Sequence, residues 1–194
     1  MRKSLPAALA ALAAVGALAR PPEVPEAVFK RCATCHGEQG ESIAEDFPRL
    51  AGQHEAYLAK ELDDFRAGRR EGPMVRMARG LTDAHVAALA KYYASQPVPP
   101  PAPKTELHDV GRYLYRKGNP WSGVPACKAC HGEAARGTEK LPALAGQHAA
   151  YLEREIREFT SRARTNDNEV MHTVSQKLTA LEVRALAEYL ASLP

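Results

Sequence analysis

The sequence predicts an all-α protein built as a tandem repeat of two small domains joined by a proline-rich linker. Residues 47–65, FPRLAGQHEAYLAKELDDF, return at residues 141–159 as LPALAGQHAAYLEREIREF. Residues 81–95, LTDAHVAALAKYYAS, return at residues 178–192 as LTALEVRALAEYLAS. The two offsets, 94 and 97 residues, differ so little that the halves should differ only by short loops. Strand-like alternation of apolar and polar residues is absent from both halves.

A proline-rich run separates the two copies. Residues 96–104 read QPVPPPAPK. Because proline lacks the backbone N–H that a helix needs, this run cannot continue a helix and should be extended and semi-rigid. We therefore predict an N-terminal domain over residues 20–95, the linker over residues 96–104 and a C-terminal domain over residues 105–194.

Each half contains the signals of three helices. The first helix is predicted over residues 26–33 in the first half and over residues 106–117 in the second, leading towards a cysteine motif. The second helix carries the shared pattern Y-L-x-x-E-[LI]-x-x-F, whose aromatic and acidic residues recur every four positions and so share one helical face. The third begins at Thr82 or Thr179, both good N-cap residues. In the second copy a glutamate three residues on completes a capping-box pattern.

The N-terminal segment has the features of an export signal. Arg2 and Lys3 precede an apolar run over residues 5–18 that consists largely of alanine and leucine, and residues 17–19 form an A-x-A cleavage pattern. We predict a signal peptide over residues 1–19 and an exported, periplasmic protein. A membrane anchor is the alternative, but the run is shorter than the ~20 residues that a bilayer span needs.

The charge composition excludes a nucleic-acid-binding role. The 194 residues include 26 lysines and arginines and 23 aspartates and glutamates, which gives a formal net charge of +3. Removal of residues 1–19 takes away two positive charges and leaves a net charge of +1. A nucleic-acid-binding domain would need a marked excess of basic residues.

Two C-x-x-C-H motifs contain all four cysteines of the chain: Cys32, Cys35 and His36, and Cys127, Cys130 and His131. Paired zinc-binding motifs are usually about 15–20 residues apart, whereas 91 residues separate these two. A thioredoxin-like redox pair would need a βαβ setting, which the sequence lacks. Disulfide bonds suit an exported protein, but they leave the histidine after each pair unexplained.

Covalently bound c-type heme accounts for every part of both motifs. The two thiols of a motif would form thioethers with the porphyrin, and the adjacent imidazole would become the proximal iron ligand. Small domains with 6% aromatic residues bury little apolar surface, so a large apolar cofactor would complete their cores. We predict two heme c groups, attached through Cys32, Cys35, Cys127 and Cys130 and ligated by His36 and His131.

Three methionines besides the initiator could supply the sixth iron ligand. Met74 and Met171 each lie seven residues before the L-T sequence that starts the last helix of their half. Met77 has no counterpart in the second half, so we expect it to serve in packing. His172, beside Met171, is a rival ligand, but the first half has valine at that place. A methionine thioether would close the iron to small ligands and raise its reduction potential.

Two prolines follow the motif histidines at matched distances. Pro48 lies 12 residues after His36, and Pro142 lies 11 residues after His131. A backbone carbonyl at this place could accept the Nδ1 proton of the histidine and so fix the orientation of the ring.

The whole pattern resembles a diheme cytochrome c of the c4 family. C-x-x-C-H is followed by P-x-L-A-G-Q-H-x-x-Y-L and by a methionine before L-T and a terminal helix, and the series occurs twice around a proline linker over residues 25–194. The resemblance implies two class I cytochrome c domains related by a pseudo-twofold axis. It assigns the iron ligands to His36, Met74, His131 and Met171. It also implies an electron carrier, not an enzyme, between a membrane-bound cytochrome donor and a terminal oxidase or other reductase.

Two other functions remain open at this point. The chain could be the diheme subunit of an oxidoreductase, for example of the flavocytochrome c sulfide dehydrogenase type, because such subunits resemble the same pattern. It could also be a diheme peroxidase, which would need one iron without a strong sixth ligand. The two matched methionines argue against a peroxidase. Association with a membrane, through partners or a retained signal segment, is compatible with all three functions.

Overall fold

The computed structural model describes residues 20–194, and the predicted signal peptide therefore lies outside the described residues. The described part is helical and contains no named strand. Its β-type pairings are two isolated bridges, Asn119 with Val124 and Thr138 with Leu141. The all-α prediction is confirmed.

Nine helices follow one another along the described chain, and they divide between the two halves. The first half contains α1 (Glu26–His36), α2 (Glu55–Arg66), α3 (Met74–Ala78) and α4 (Asp83–Ala94). The second half contains α5 (His108–Lys117), α6 (Lys128–His131), α7 (Ala149–Ser161), α8 (Val170–Ser175) and α9 (Ala180–Ala191). Each half thus has a short helix at its methionine segment that the sequence pattern did not predict.

The last helix of each half begins at the predicted threonine. The Thr82 hydroxyl accepts a hydrogen bond from the backbone N–H of His85 at 3.2 Å, and that of Thr179 accepts one from Glu182 at 3.3 Å. Both are complete capping boxes. In the first half the reciprocal acceptor is the His85 ring, with its Nδ1 3.3 Å from the Thr82 backbone nitrogen, rather than a carboxylate.

Each half has its own apolar core around its last helix. In the first half, α2 packs on α4, and Phe29, Leu89 and Tyr93 lie among the buried residues. In the second half, both α5 and α7 pack on α9. Gly111 allows α5 to approach α9 closely, because a Cβ there would lie 2.0 Å from the carbonyl oxygen of Ala185.

The two halves differ most where the chain reaches the cysteine motif. In the first half, α1 extends three residues beyond its predicted end and contains the whole motif up to His36. It ends where Gly37 adopts a φ of 79°. In the second half, α5 ends at Lys117, and a separate loop leads to the short motif helix α6.

The proline-rich linker is attached to both halves. The carbonyl oxygen of Pro100 accepts a hydrogen bond from Arg49 at 3.1 Å, and the N–H of Ala102 donates to the carbonyl oxygen of Ala191 at 2.9 Å. Val98 lies against Gly52, where a Cβ would come within 2.3 Å of its Cγ2 atom. These contacts hold an otherwise extended segment in place.

Among residues 20–194 no helix has the length and apolar character needed to cross a membrane.

Candidate heme sites and the contact between the halves

The first motif lies at the C-terminal end of α1. His36 is buried, and its Nδ1 lies 3.0 Å from the carbonyl oxygen of Pro48. A carbonyl oxygen can only accept a hydrogen bond, so this contact places the proton on Nδ1 and leaves the lone pair on Nε2. Burial lowers the pKa of His36, which favours the neutral ring that can ligate a metal.

The second motif repeats this arrangement on α6. His131 is buried, and its Nδ1 lies 3.4 Å from the carbonyl oxygen of Pro142. Burial lowers its pKa as well. The predicted pairing of each motif histidine with a proline carbonyl is therefore confirmed in both halves.

The four cysteines take part in no disulfide bond. Burial raises the pKa of Cys32 and raises the pKa of Cys127 to about 11. A redox-active C-x-x-C pair needs a lowered thiol pKa, so these environments argue against thiol–disulfide chemistry. Within residues 20–194 no group of three or more His, Cys, Asp or Glu side chains is placed to hold a metal ion.

The predicted methionine ligands lie on the two short helices. Met74 is the first residue of α3 and packs, half-buried, against the core of the first half. Met171 is the second residue of α8, and its backbone N–H donates to the Asp167 carboxylate at 2.6 Å. Next to it, the Nδ1 of His172 lies 3.0 Å from the carbonyl oxygen of Phe159.

The donor chemistry of each half suits a c-type heme. Each half offers two unpaired thiols, an imidazole whose Nε2 keeps its lone pair, and a thioether on a separate helix. Thioether links together with His and Met axial ligands are the donor set of the c-type cytochromes. The residues present therefore fit the predicted cofactor in both halves.

A buried ring of four charged side chains joins the halves, and nothing in the sequence pattern predicted it. Arg70 donates to Glu61 of its own half and to Glu155 of the other half, both at 2.6 Å. Arg164 contacts Glu155 of its own half and reaches Glu61 across the boundary at 3.1 Å. Each side chain is at most 9% exposed.

The surroundings of this ring complete its hydrogen bonding. Arg164 also donates to the Tyr57 hydroxyl at 3.0 Å, and Asn166 donates to the Glu61 carboxylate. Burial by itself would raise the pKa of Glu61, but the charges of Arg164 and Arg70 outweigh this effect and hold the pKa below its usual value. Glu61 is therefore ionised at neutral pH.

Two glutamines fasten the same contact through the backbone. Gln53 donates to the carbonyl oxygen of Ala143 at 3.0 Å and accepts from its N–H at 2.9 Å. Gln147 does the same with Arg49, at 3.0 and 2.9 Å. Gln53 and Gln147 are 94 positions apart, as are their partners Arg49 and Ala143. Because each half makes the same contact to the other, the interface has the symmetry of a pseudo-twofold axis. The repeated A-G-Q-H sequence contains this glutamine in both halves, and it is the sequence signal that could have predicted the contact.

Comparison with known proteins agrees with this architecture. The family model described as Cytochrome c matches residues 25–97 and 111–194. A cytochrome c4 from Thiocapsa roseopersicina is 43% identical over 166 residues, which cover 84% of this chain and 86% of that protein. The crystal structure of reduced recombinant cytochrome c4 from Pseudomonas stutzeri superposes with a TM-score of 0.80 at 35% identity and covers 87% of this chain and 98% of that one.

A further relative is named for an electron-accepting role. A thiosulfate dehydrogenase electron acceptor from Thiomonas intermedia (strain K12) is 39% identical over 183 residues, which cover 91% of this chain and 82% of that protein. The match to the Cytochrome c family and to these relatives supports a role in electron transfer. With two matched domains, two sets of heme donors and this similarity, the chain belongs to the cytochrome c family as a diheme protein of the cytochrome c4 type.

Proposed function

We propose that the protein is a periplasmic electron carrier that takes one electron at a time from a respiratory donor and passes it to a terminal acceptor such as an oxidase. The proposal rests on the duplicated donor set, above all on the two buried histidines whose Nδ1 atoms are directed at proline carbonyls. We assign covalent attachment and iron ligation to the predicted residues: Cys32, Cys35, His36 and Met74 in one half, and Cys127, Cys130, His131 and Met171 in the other. The domains are assigned to residues 20–95 and 105–194, with the linker over residues 96–104.

The protein's own groups have distinct roles in this function. When bound, each heme supplies the Fe(III)/Fe(II) couple, and no bond is made or broken in a substrate. The Pro48 and Pro142 carbonyls hold the imidazoles in one tautomer and orientation, which keeps Nε2 available. The Met74 and Met171 thioethers would serve as the second protein ligands of the irons and would raise the reduction potential.

The contact between the halves keeps the two sites at a fixed separation. The four-residue ring, Glu61, Arg70, Glu155 and Arg164, and the two glutamine clamps bridge the halves at different places. A rigid separation suits electron transfer from one half to the other, because no domain movement has to precede each transfer. This is the second part of the proposal.

The test of the ligand assignment is optical spectroscopy of the exported protein. We expect two covalent hemes per chain in a pyridine hemochrome assay, and the weak long-wavelength band of Met–Fe(III) ligation at full strength for both. Met74→Ala or Met171→Ala should halve that band, while Met77→Ala serves as the matched control and should leave it intact. A native protein with one high-spin heme that binds carbon monoxide would contradict the carrier function and support a peroxidase.

A second candidate function is electron acceptor of a thiosulfate dehydrogenase, because the Thiomonas relative carries that name. In that case the donor would be an enzyme complex rather than a membrane-bound cytochrome, and any membrane association would come through partners. Catalytic amounts of a thiosulfate dehydrogenase with thiosulfate should then reduce both hemes at a rate proportional to the enzyme concentration. Reduction no faster than with thiosulfate alone would exclude this partner and leave the general carrier function intact.

A further inference from the structure

Trp121 is the only tryptophan of the chain, and it is 96% exposed. Tryptophan is normally largely buried, because its ring carries the largest apolar surface of any side chain. Tyr113, on the preceding helix α5, is 58% exposed. In protein complexes, tryptophan is among the residues that contribute most binding energy per side chain.

The turn that carries Trp121 is firmly held. Asn119 and Val124 exchange two backbone hydrogen bonds at 2.9 and 3.0 Å, and the Asn119 side chain accepts from the N–H of Trp121 at 3.0 Å. From outside the turn, Glu182 accepts from the Asn119 amide at 2.7 Å, and Lys177 donates to the carbonyl oxygen of Gly123 at 3.1 Å. Because the backbone of the turn is already held in place, the turn loses little conformational freedom when a partner binds it.

The surroundings of the turn are basic. Residues 110–128 contain four cations and no carboxylate. The cations on and around the turn are Arg112, Arg116, Lys117, Lys128 and Lys177, and the carboxylates are Asp109, Glu133 and Glu182. Ion pairs join Arg112 to Asp109 and both Arg116 and Lys128 to Glu133, so five cations face three carboxylates and the net charge is +2. This excess of positive charge complements an acidic surface.

The turn also lies next to the second heme motif and has no equivalent in the first half. Cys127 follows Trp121 by six residues, whereas in the first half α1 runs into its motif without a loop. The second half therefore has a feature beside its redox site that the first half lacks.

We propose that the turn over residues 119–124 and the cations around it form a docking surface for an acidic redox protein, with Trp121 as its apolar anchor. The proposal builds on the electron-carrier function. It makes the second half the side through which the chain exchanges electrons with this partner. In the exchange one electron leaves the reduced centre of the partner and is gained by the oxidised carrier, and no bond forms.

Docking can be read directly because a single tryptophan gives a single indole N–H signal in a ¹⁵N-resolved NMR spectrum. The reduced holoprotein, mixed with oxidised flavodoxin as an acidic redox protein of defined structure, can be titrated without electron transfer. We expect the indole signal to shift at low ionic strength and to return at high ionic strength. An indole signal that does not respond, while signals of the first half do, would overturn the proposal.

The kinetic test uses reduced flavodoxin as the electron donor to the oxidised holoprotein. Trp121→Ala should lower the second-order rate constant about tenfold at low ionic strength, and Trp121→Phe should restore most of it. Ile43→Ala, at a 64% exposed position of the first half, is the matched control and should have no effect. Lys117→Glu should slow the reaction more than Lys91→Glu on α4.

A small donor separates docking from the function of the carrier itself. Hexaammineruthenium(II) needs no protein docking, so at high ionic strength, where salt screens its positive charge, it should reduce all five variants and the native protein at one rate. Native protein that this complex fails to reduce would contradict the carrier function. Equal rates of Trp121→Ala and native protein with flavodoxin would contradict the docking surface alone.

Discussion

The faces by which the two halves contact each other, the inner faces, match closely, whereas the outer faces of the two halves differ. On the inner face, Glu61 corresponds to Glu155 and Arg70 to Arg164, each pair 94 residues apart, and each ion pair of the ring and each glutamine clamp is made twice. On the outer face, one motif ends a continuous helix, while the other follows a loop with an exposed tryptophan.

This difference has a physical origin in the pseudo-twofold symmetry. In a self-complementary contact the same surface is used by both halves, so a residue that pairs with a group in its own half also pairs with the equivalent group in the other half. A change in one half therefore disturbs contacts of both halves. An outer surface has no such partner within the chain. The symmetric contact therefore serves to hold the halves together, and the asymmetric surfaces can serve different external partners.

The largest effects should come from the motif histidines. We expect His36→Ala and His131→Ala each to abolish the low-spin signal of one heme and leave the other intact, because each half has a complete donor set. Electron paramagnetic resonance of the oxidised proteins would measure this. Loss of both low-spin signals in either variant would show that the halves depend on each other for ligation.

The next largest effect should come from breaking the buried ring. Glu155→Gln and Glu61→Gln each leave two buried arginines facing one carboxylate, which should cost about 3–5 kcal/mol in the free energy of unfolding. Urea unfolding followed by circular dichroism would measure the loss. Glu26→Gln, in the exposed pair with Lys30, is the control and should leave stability unchanged within error. Markedly unequal losses for the two ring variants would contradict the symmetry of the contact.

A smaller effect should be confined to the second half. Gly111→Ala places a Cβ 2.0 Å from the carbonyl oxygen of Ala185, so α5 must move away from α9 at a cost of about 1–3 kcal/mol. Hydrogen exchange should show lost protection in α5 and α9 but not in α2 and α4. Arg112→Ala, one residue on at an exposed position, provides the control. An equal loss of protection in both halves would mean that they unfold as one unit.

The smallest effect should be on the pH dependence of stability. The pKa of Glu61 is lower in the folded protein than its usual value of 4.5, so its ionisation stabilises the fold above that pH. This stabilisation should be lost as the pH falls through the folded-state pKa. The difference in unfolding free energy between native protein and Glu61→Gln should therefore be constant near neutral pH and shrink below pH 4.5. A difference that is the same at all pH values would show that Glu61 does not titrate with unfolding.

The sequence by itself determined the all-α fold, the duplication and the pairing of motif histidines with proline carbonyls. These features are local or repeated, so spacing alone reveals them. Even there, the first helix was predicted to end three residues early, because residues 34–36 belong to the cysteine motif and have no helix-forming pattern of their own. The ending of α1 was decided by the left-handed conformation of Gly37.

The tertiary structure alone decided which polar residues are buried. Glu61, on α2, and Arg70, four residues beyond the end of that helix, are charged residues of the kind that normally face solvent, and only the contact of the two equivalent surfaces turns them into a buried ring. Trp121 is the opposite case, because its large apolar ring would be expected to be buried, whereas the turn exposes it. Hydrophobic periodicity reports whether a face is apolar, but a polar face that meets its own symmetry mate has the same pattern as one that meets water.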